Sequence, residues 1–146
     1  MSRGARFAAV LATMHAAHNI GDHIVQTDGQ AVGKTIAKGW VPPMVGHVGS
    51  YHAVMAGMLL AADRLLGLGL SRRRLAVALA VSVGTHAFLD RRWPVRRILE
   101  ATGSPGFARL QTPLNGPYLA DQALHHGALW LAALVAAAEP EGTGKP

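Results

Sequence analysis

Apolar residues gather into four stretches along the chain, from about Phe7 to Gln26, Met44 to about Leu66, Leu75 to Asp90 and Tyr118 to Ala138. A helix that crosses a bilayer needs about 20 residues, with a lower limit of about 17. The second and fourth stretches meet this requirement, the third lies at its edge, and the first is long enough but polar at its far end. The connections differ in character. Thr27 to Pro43 is long, Gly67 to Arg74 is a tight Gly/Arg turn, and Arg91 to Pro117 is long and punctuated by Ser104-Pro105-Gly106 and Asn115-Gly116-Pro117. The pattern predicts an all-α fold, a four-helix up-down antiparallel transmembrane bundle with a short interfacial helix through Ile98 and Leu99 in the third connection. Residues 1–138 form one helical membrane domain in this reading. Glu139 to Pro146, polar and rich in Gly and Pro, is expected to be a disordered tail. The first 25 residues do not read as a cleavable leader, because His15, His18, Asp22 and His23 interrupt the stretch that would have to be apolar.

The polar residues inside these stretches follow a rule. His18 with Asp22, His86 with Asp90, and Asp121 with His125 are each four residues apart, which sets both side chains on one helix face a turn apart. For 8 His and 5 Asp, random placement gives roughly 0.5 such pairs. The second stretch adds His47 and Tyr51 at the same spacing. The pairs lie near the C-terminal ends of the first and third stretches and the N-terminal ends of the second and fourth. In an up-down bundle those four ends meet on one side. His18, Asp22, His47, His86, Asp90, Asp121 and His125 are therefore expected at one level, beneath the two long connections. At 100° per residue, His15 and Gln26 fall close to the face of His18 and Asp22, whereas His23, His52 and His126 point elsewhere.

Composition narrows the chemistry. Hydrophobic residues make up 50% of the chain and charged residues 15%, against about 25% in soluble domains. Ala, Leu and Val with 17 Gly suit close helix packing, and the mean hydropathy of +0.22 leans toward a membrane. With no cysteine, disulfides, thiolate metal sites and cysteine nucleophiles are excluded. The net charge of +6 comes mostly from arginines at the ends of apolar stretches, which is where lipid headgroups select them. No groove-reading motif or aromatic stacking platform supports nucleic acid as a partner. Membrane lipids are the expected partners, in a multi-pass protein of the cell inner (plasma) membrane. Seven Lys and Arg fall on each side, so the positive-inside rule gives no orientation.

Imidazole with carboxylate is an environment for a first-row divalent metal, zinc first, with manganese or iron as alternatives. Seven candidate ligands exceed one tetrahedral site, so they suit two metals, or one metal with carboxylates orienting the imidazoles. Gln26, Tyr51, Gln122 and His15 are candidates for such orienting roles or for substrate contacts. Asp22 or Asp121 is the candidate general base, and Lys34, Arg91 and Arg92 the candidate phosphate contacts. A buried hydrogen-bond network or a proton relay is the alternative use of the same residues.

In order, His18-x-x-x-Asp22-x-x-x-Gln26-Thr27-Asp28, His47, His86-x-x-x-Asp90 and Asp121-Gln122-x-x-His125 resemble the DUF3307-like family of small bacterial His/Asp-rich integral membrane proteins. The stretch from Asp90 through Trp93 and Pro94 to Arg96 is nearest its actinobacterial branch. The resemblance spans about Phe7 to Leu131 and implies a membrane location without supplying a mechanism. A looser likeness, resting on the His-x-x-x-Asp pairs alone, is to membrane-bound metal-dependent hydrolases and zinc-dependent phosphoesterases. The functional expectation is a membrane metal-binding protein, with hydrolysis of lipid-borne or membrane-proximal phosphoesters as its enzymatic form. A non-enzymatic accessory that handles metal or protons is the alternative. Four short helices make a thin transporter, so that use would call for a homo-oligomer.

Overall fold

A computed structural model describes residues 1–138, and these hold six α-helices. Helix α1, Arg3–Ile20, starts where the Ser2 hydroxyl accepts from the Ala5 amide, and it continues into a π-helical turn, Gly21–Val25. Thr27 and Gln30 then form a reciprocal capping box that opens α2, Asp28–Gly33, a short helix within the long connection from Thr27 to Pro43. Helix α3, Val41–Leu66, has two prolines in its first turn and ends at Gly67, whose left-handed backbone (φ 60°) closes the helix. Helix α4, Arg72–Leu89, is followed by α5, Trp93–Ala101, at the place expected for the short interfacial helix. Helix α6, Gly116–Ala137, begins with the Asn115 side chain accepting from the Tyr118 amide. The tail expected to be disordered lies outside the described residues.

Contacts run α1 to α3, α3 to α4, α4 to α6 and α6 back to α1, so the four long helices close a ring around one core. Arg6 Nε donates to the Leu68 carbonyl at 2.7 Å, fastening the start of α1 to the α3–α4 turn at one end of the bundle. That end holds the apolar half of the core. Val10, Met14, Met55, Leu59, Ala78 and Ala133 are fully buried there. The small side chains of α4 and α6 let the backbones approach, and Met14 of α1 and Met55 of α3 fill the core beside them. At the opposite end the core turns polar.

Gly21 sits at the change. A Cβ there would lie 2.8 Å from Tyr51 Cδ2 and 3.3 Å from Tyr51 Cα, so the bare glycine is what lets the end of α1 seat against α3.

Among the described residues one helix, α3, is long and apolar enough to cross a membrane. The four spans of the sequence reading are therefore not established by length and hydropathy. The cause is local: α4 opens with Arg72, Arg73 and Arg74, and the His/Asp pairs lower the apolar content of α1, α4 and α6. The outward faces nonetheless carry large apolar groups, Leu60, Leu65, Val77, Phe88, Trp130 and Leu131 among them.

Replacing Gly21 by Ala should cost about 1–3 kcal/mol through overpacking against Tyr51. A clear drop in Tm of the purified protein is the expected result. An unchanged Tm would show that α1 and α3 can separate at this point without loss.

Candidate metal centre

Helix ends deliver the polar residues. Asp22 lies in the π turn, where the Gln26 amide reaches back five residues to the Gly21 carbonyl at 3.2 Å. Such turns add a residue to the helical repeat and recur at functional sites. Asp90 is the C-terminal cap of α4, one turn beyond His86. His47 comes from the second turn of α3 and His125 from α6. All five are buried, His47 completely.

Four of their atoms converge. His47 Nε2 lies 2.8 Å from His86 Nε2, 3.1 Å from Asp90 Oδ2 and 3.3 Å from Asp22 Oδ1. His86 Nε2 lies 3.2 Å from the same Asp90 oxygen. Ligand atoms of the four residues are all within 4.8 Å of one another. A tetrahedral zinc ion with bonds of about 2.0–2.1 Å holds its ligand atoms about 3.3 Å apart. The three nitrogen–oxygen separations match that edge, and the nitrogen–nitrogen separation is shorter. Hydrogen bonding alone serves the group poorly. His47 Nε2 faces three acceptors with at most one hydrogen to give, and two of them are carboxylate oxygens in a buried space. Such a donor set calls for a cation.

One cation is already there. Lys34 Nζ donates to Asp90 Oδ2 at 2.9 Å and lies 3.7 Å from Asp22 Oδ1. The side chain is buried, so Lys34 is committed to the carboxylates and not free for the phosphate contact its charge suggested in the sequence. Its position is held from outside. Arg91 Nη1 donates to the Lys34 carbonyl and Nη2 to the Ile36 carbonyl, with the guanidinium 4.2 Å from the centre of the Trp40 ring. Arg91 is thus a clamp on the connection after α2.

A second set of bonds orients Asp22. Tyr51 OH donates to His18 Nδ1 at 3.0 Å, His18 Nε2 to Gln122 Oε1 at 2.9 Å, and Gln122 Nε2 to Asp22 Oδ2 at 3.2 Å. Both nitrogens of His18 are engaged, so in this arrangement it holds Asp22 in place through Gln122 instead of adding a ligand. The Tyr51 ring also lies against His86, with centroids 4.0 Å apart. Gln26 Nε2 donates to the Asp22 backbone carbonyl at 3.1 Å, at the rim of the group.

Asp121 and His125 stand beside Asp90 on the other side. His15, placed near the His18 face by the helical wheel, stacks instead on His126 along the α1–α6 seam, with ring centroids 3.9 Å apart. His23 is exposed and bonds Tyr118 OH at 2.7 Å, and His52 bonds Ser82. Above the cluster a cavity of about 460 Å³ opens beneath α5 and the connection to α6, lined by Arg91, Arg92, Arg96, Asn115, Tyr118 and Asp121 among others. Arg92 is the one non-glycine residue among those described with positive φ (60°), a conformation that costs energy and that clusters at functional sites.

Comparison with protein-family models, curated proteins and solved structures returns no match.

Breaking a buried ion pair by removing one partner costs about 3–5 kcal/mol. Lys34→Met should therefore strongly lower the Tm of metal-stripped protein, and added zinc should recover more stability in this variant than it adds to wild type. Equal responses to zinc in the two proteins would show that lysine and metal do not share the carboxylates.

Proposed function

We propose that this chain is an integral membrane protein that binds a divalent cation, zinc first, through Asp22, His47, His86 and Asp90, and that uses the centre to hydrolyse lipid-borne or membrane-proximal phosphoesters. The observation that carries the metal assignment is the convergence of two imidazole nitrogens and two carboxylate oxygens, from α1, α3 and α4, at tetrahedral spacing in a buried space. A divalent cation at this end of the bundle would lower the pKa of a coordinated water and polarise a phosphoryl oxygen. The protein's part is to fix the ligands and bring the ester to them. The chain from Tyr51 through His18 and Gln122 sets the angle of Asp22. Arg92 and Arg96 supply positive charge in the cavity above, and Asp121 lies on its wall.

Two features support a lipid-borne ester. An apolar groove of about 470 Å³ runs between α4 and α6, its lining including Phe88, Leu89, Trp130 and Leu131. Leu89 directly precedes Asp90, so the groove begins where the polar group ends. The apolar outward faces of the long helices support burial of the bundle in a bilayer, and α3 meets the length requirement by itself. The resemblance of the motif order to the DUF3307-like proteins implies the same location, and the apolar outward faces would also serve a homo-oligomer.

The Lys34–Asp90 bond favours a second reading, in which lysine is the permanent counter-ion of a non-enzymatic network that handles protons or positions a partner.

Protein purified without a His-tag should carry near-stoichiometric zinc, manganese or iron. His86→Ala and Asp90→Ala should lose it, and His52→Ala should keep it. Hydrolysis of a phosphodiester or phospholipid analogue should vanish with EDTA, return with metal and fall by orders of magnitude in Asp121→Asn. Metal-free protein from every preparation would favour the lysine network, and bound metal with no turnover of any phosphoester would end the hydrolase reading. Carbonate washing of membranes tests the location separately. The protein should stay in the pellet, and its release as a monodisperse soluble species would overturn integration in the bilayer.

A further inference from the structure

Asp90 divides its carboxylate between two groups of residues. Oδ2 faces His47, His86 and Lys34, whereas Oδ1 lies 3.9 Å from His125 Nε2. His125 is 2% exposed. Its Nδ1 donates to the Asp121 backbone carbonyl at 2.9 Å, which fixes the hydrogen on that nitrogen and leaves the lone pair on Nε2. That nitrogen is buried, and among the described residues it has no hydrogen-bond partner. Asp121 Oδ1 is likewise buried and unpartnered. Asp90, Asp121 and His125 offer ligand atoms all within 4.8 Å of one another.

A metal-ligating histidine characteristically donates its other nitrogen to a carbonyl or carboxylate, which orients the ring and raises its basicity. His125 meets this condition, and its unused nitrogen lies 3.9 Å from Asp90 Oδ1, while Asp121 Oδ2 lies 3.6 Å from Nδ1. An octahedral cation with bonds of about 2.1 Å accommodates ligand pairs from about 3 to about 4.2 Å apart, and the 3.9 Å from Asp90 to His125 falls inside that span.

We propose a second divalent-cation position formed by Asp90 Oδ1, Asp121 and His125, with Asp90 as the carboxylate shared between it and the four-residue position. The inference rests on the metal reading of Asp22, His47, His86 and Asp90 given above. The two positions differ in what they leave open. The first has four protein ligands, which fills a tetrahedral shell. The second has three, and Asp121 lines the cavity that carries Arg92 and Arg96. The second position is therefore the one that meets the phosphoryl group, and the first anchors the shared carboxylate. Cations held at two such neighbouring positions would stabilise both the attacking and the leaving oxygen of a phosphoryl transfer.

The test is metal stoichiometry and spin coupling of the full-length protein in detergent, loaded with manganese and dialysed. Wild type should hold two equivalents and give the exchange-coupled spectrum of a manganese pair in electron paramagnetic resonance. His125→Gln should hold one, with the six-line spectrum of an isolated ion. Asp121→Asn, at a partly exposed residue, should behave the same way and serves if His125→Gln does not fold, as judged by circular dichroism. One equivalent in wild type, lost in His86→Gln and kept in His125→Gln, overturns the second position and leaves the first standing. Two equivalents retained in both His125→Gln and Asp121→Asn also overturn it. No bound metal in any form removes both.

Discussion

Two carboxylates, Asp22 and Asp90, meet in the interior of a helical bundle, and their charge is the constraint around which the polar end is built. A buried anion without a partner is costly, and a second one nearby makes it worse. Every neighbouring feature answers that demand. Lys34 is drawn in from a connection, two imidazole nitrogens face the oxygens, and the Gln122 amide donates to the oxygen of Asp22 that looks away from the cluster. The apolar half of the bundle supplies the rigidity that holds these groups at fixed separations. Met14, Met55 and Leu59 pack one side of the level at which Tyr51 and His18 begin the polar chain.

The histidines show how one residue type takes separate roles by what its second nitrogen meets. His18 has both nitrogens bonded and acts as a link. His52 donates to the carbonyl of Val48 and receives the Ser82 hydroxyl, a structural pair between α3 and α4. His47 and His86 turn the same nitrogen toward each other and toward the acids. His125 is fixed by its own helix and presents a bare lone pair. Burial alone would not separate these, because four of the five are almost inaccessible.

Much of this was legible in the chain. The bounds of α1, α3, α4 and α6 follow the apolar stretches within a few residues, and the gathering of the pairs at one end follows from alternating helix direction. A four-residue spacing fixes a helix face, and a closed ring of four helices gives that face one place to point. What the periodicity could not show depends on tertiary approach. Lys34 reaches the acids because α2 folds back, with Gly33 so close to Pro43 that a Cβ would stand 2.7 Å from its ring. A helix of six residues gives no periodic signal, although its capping box Thr27-x-x-Gln30 stood in the sequence as a start mark. His18 was placed on the right face, but its bond to Gln122 is set by the α1–α6 distance. Helices α1, α4 and α6 fall short of the hydropathy of a membrane span for a related reason: the residues that make the cluster are the same ones that dilute the apolar content of the helices carrying them.

The placement of the acids at helix ends has a consequence for what the cluster admits. Asp90 caps the C-terminus of α4 and Asp22 follows the C-terminus of α1, where the aligned peptide dipoles already leave partial negative charge. Both carboxylates therefore stand against the field of their own helices instead of with it, and the two effects add. The N-terminal turns of α3 and α6 lie at the same end with the opposite polarity, so the acids sit where two negative helix ends meet two positive ones. The buried lysine and imidazoles beside Asp22 and Asp90 therefore offset both the acids and the ends of the helices that carry them.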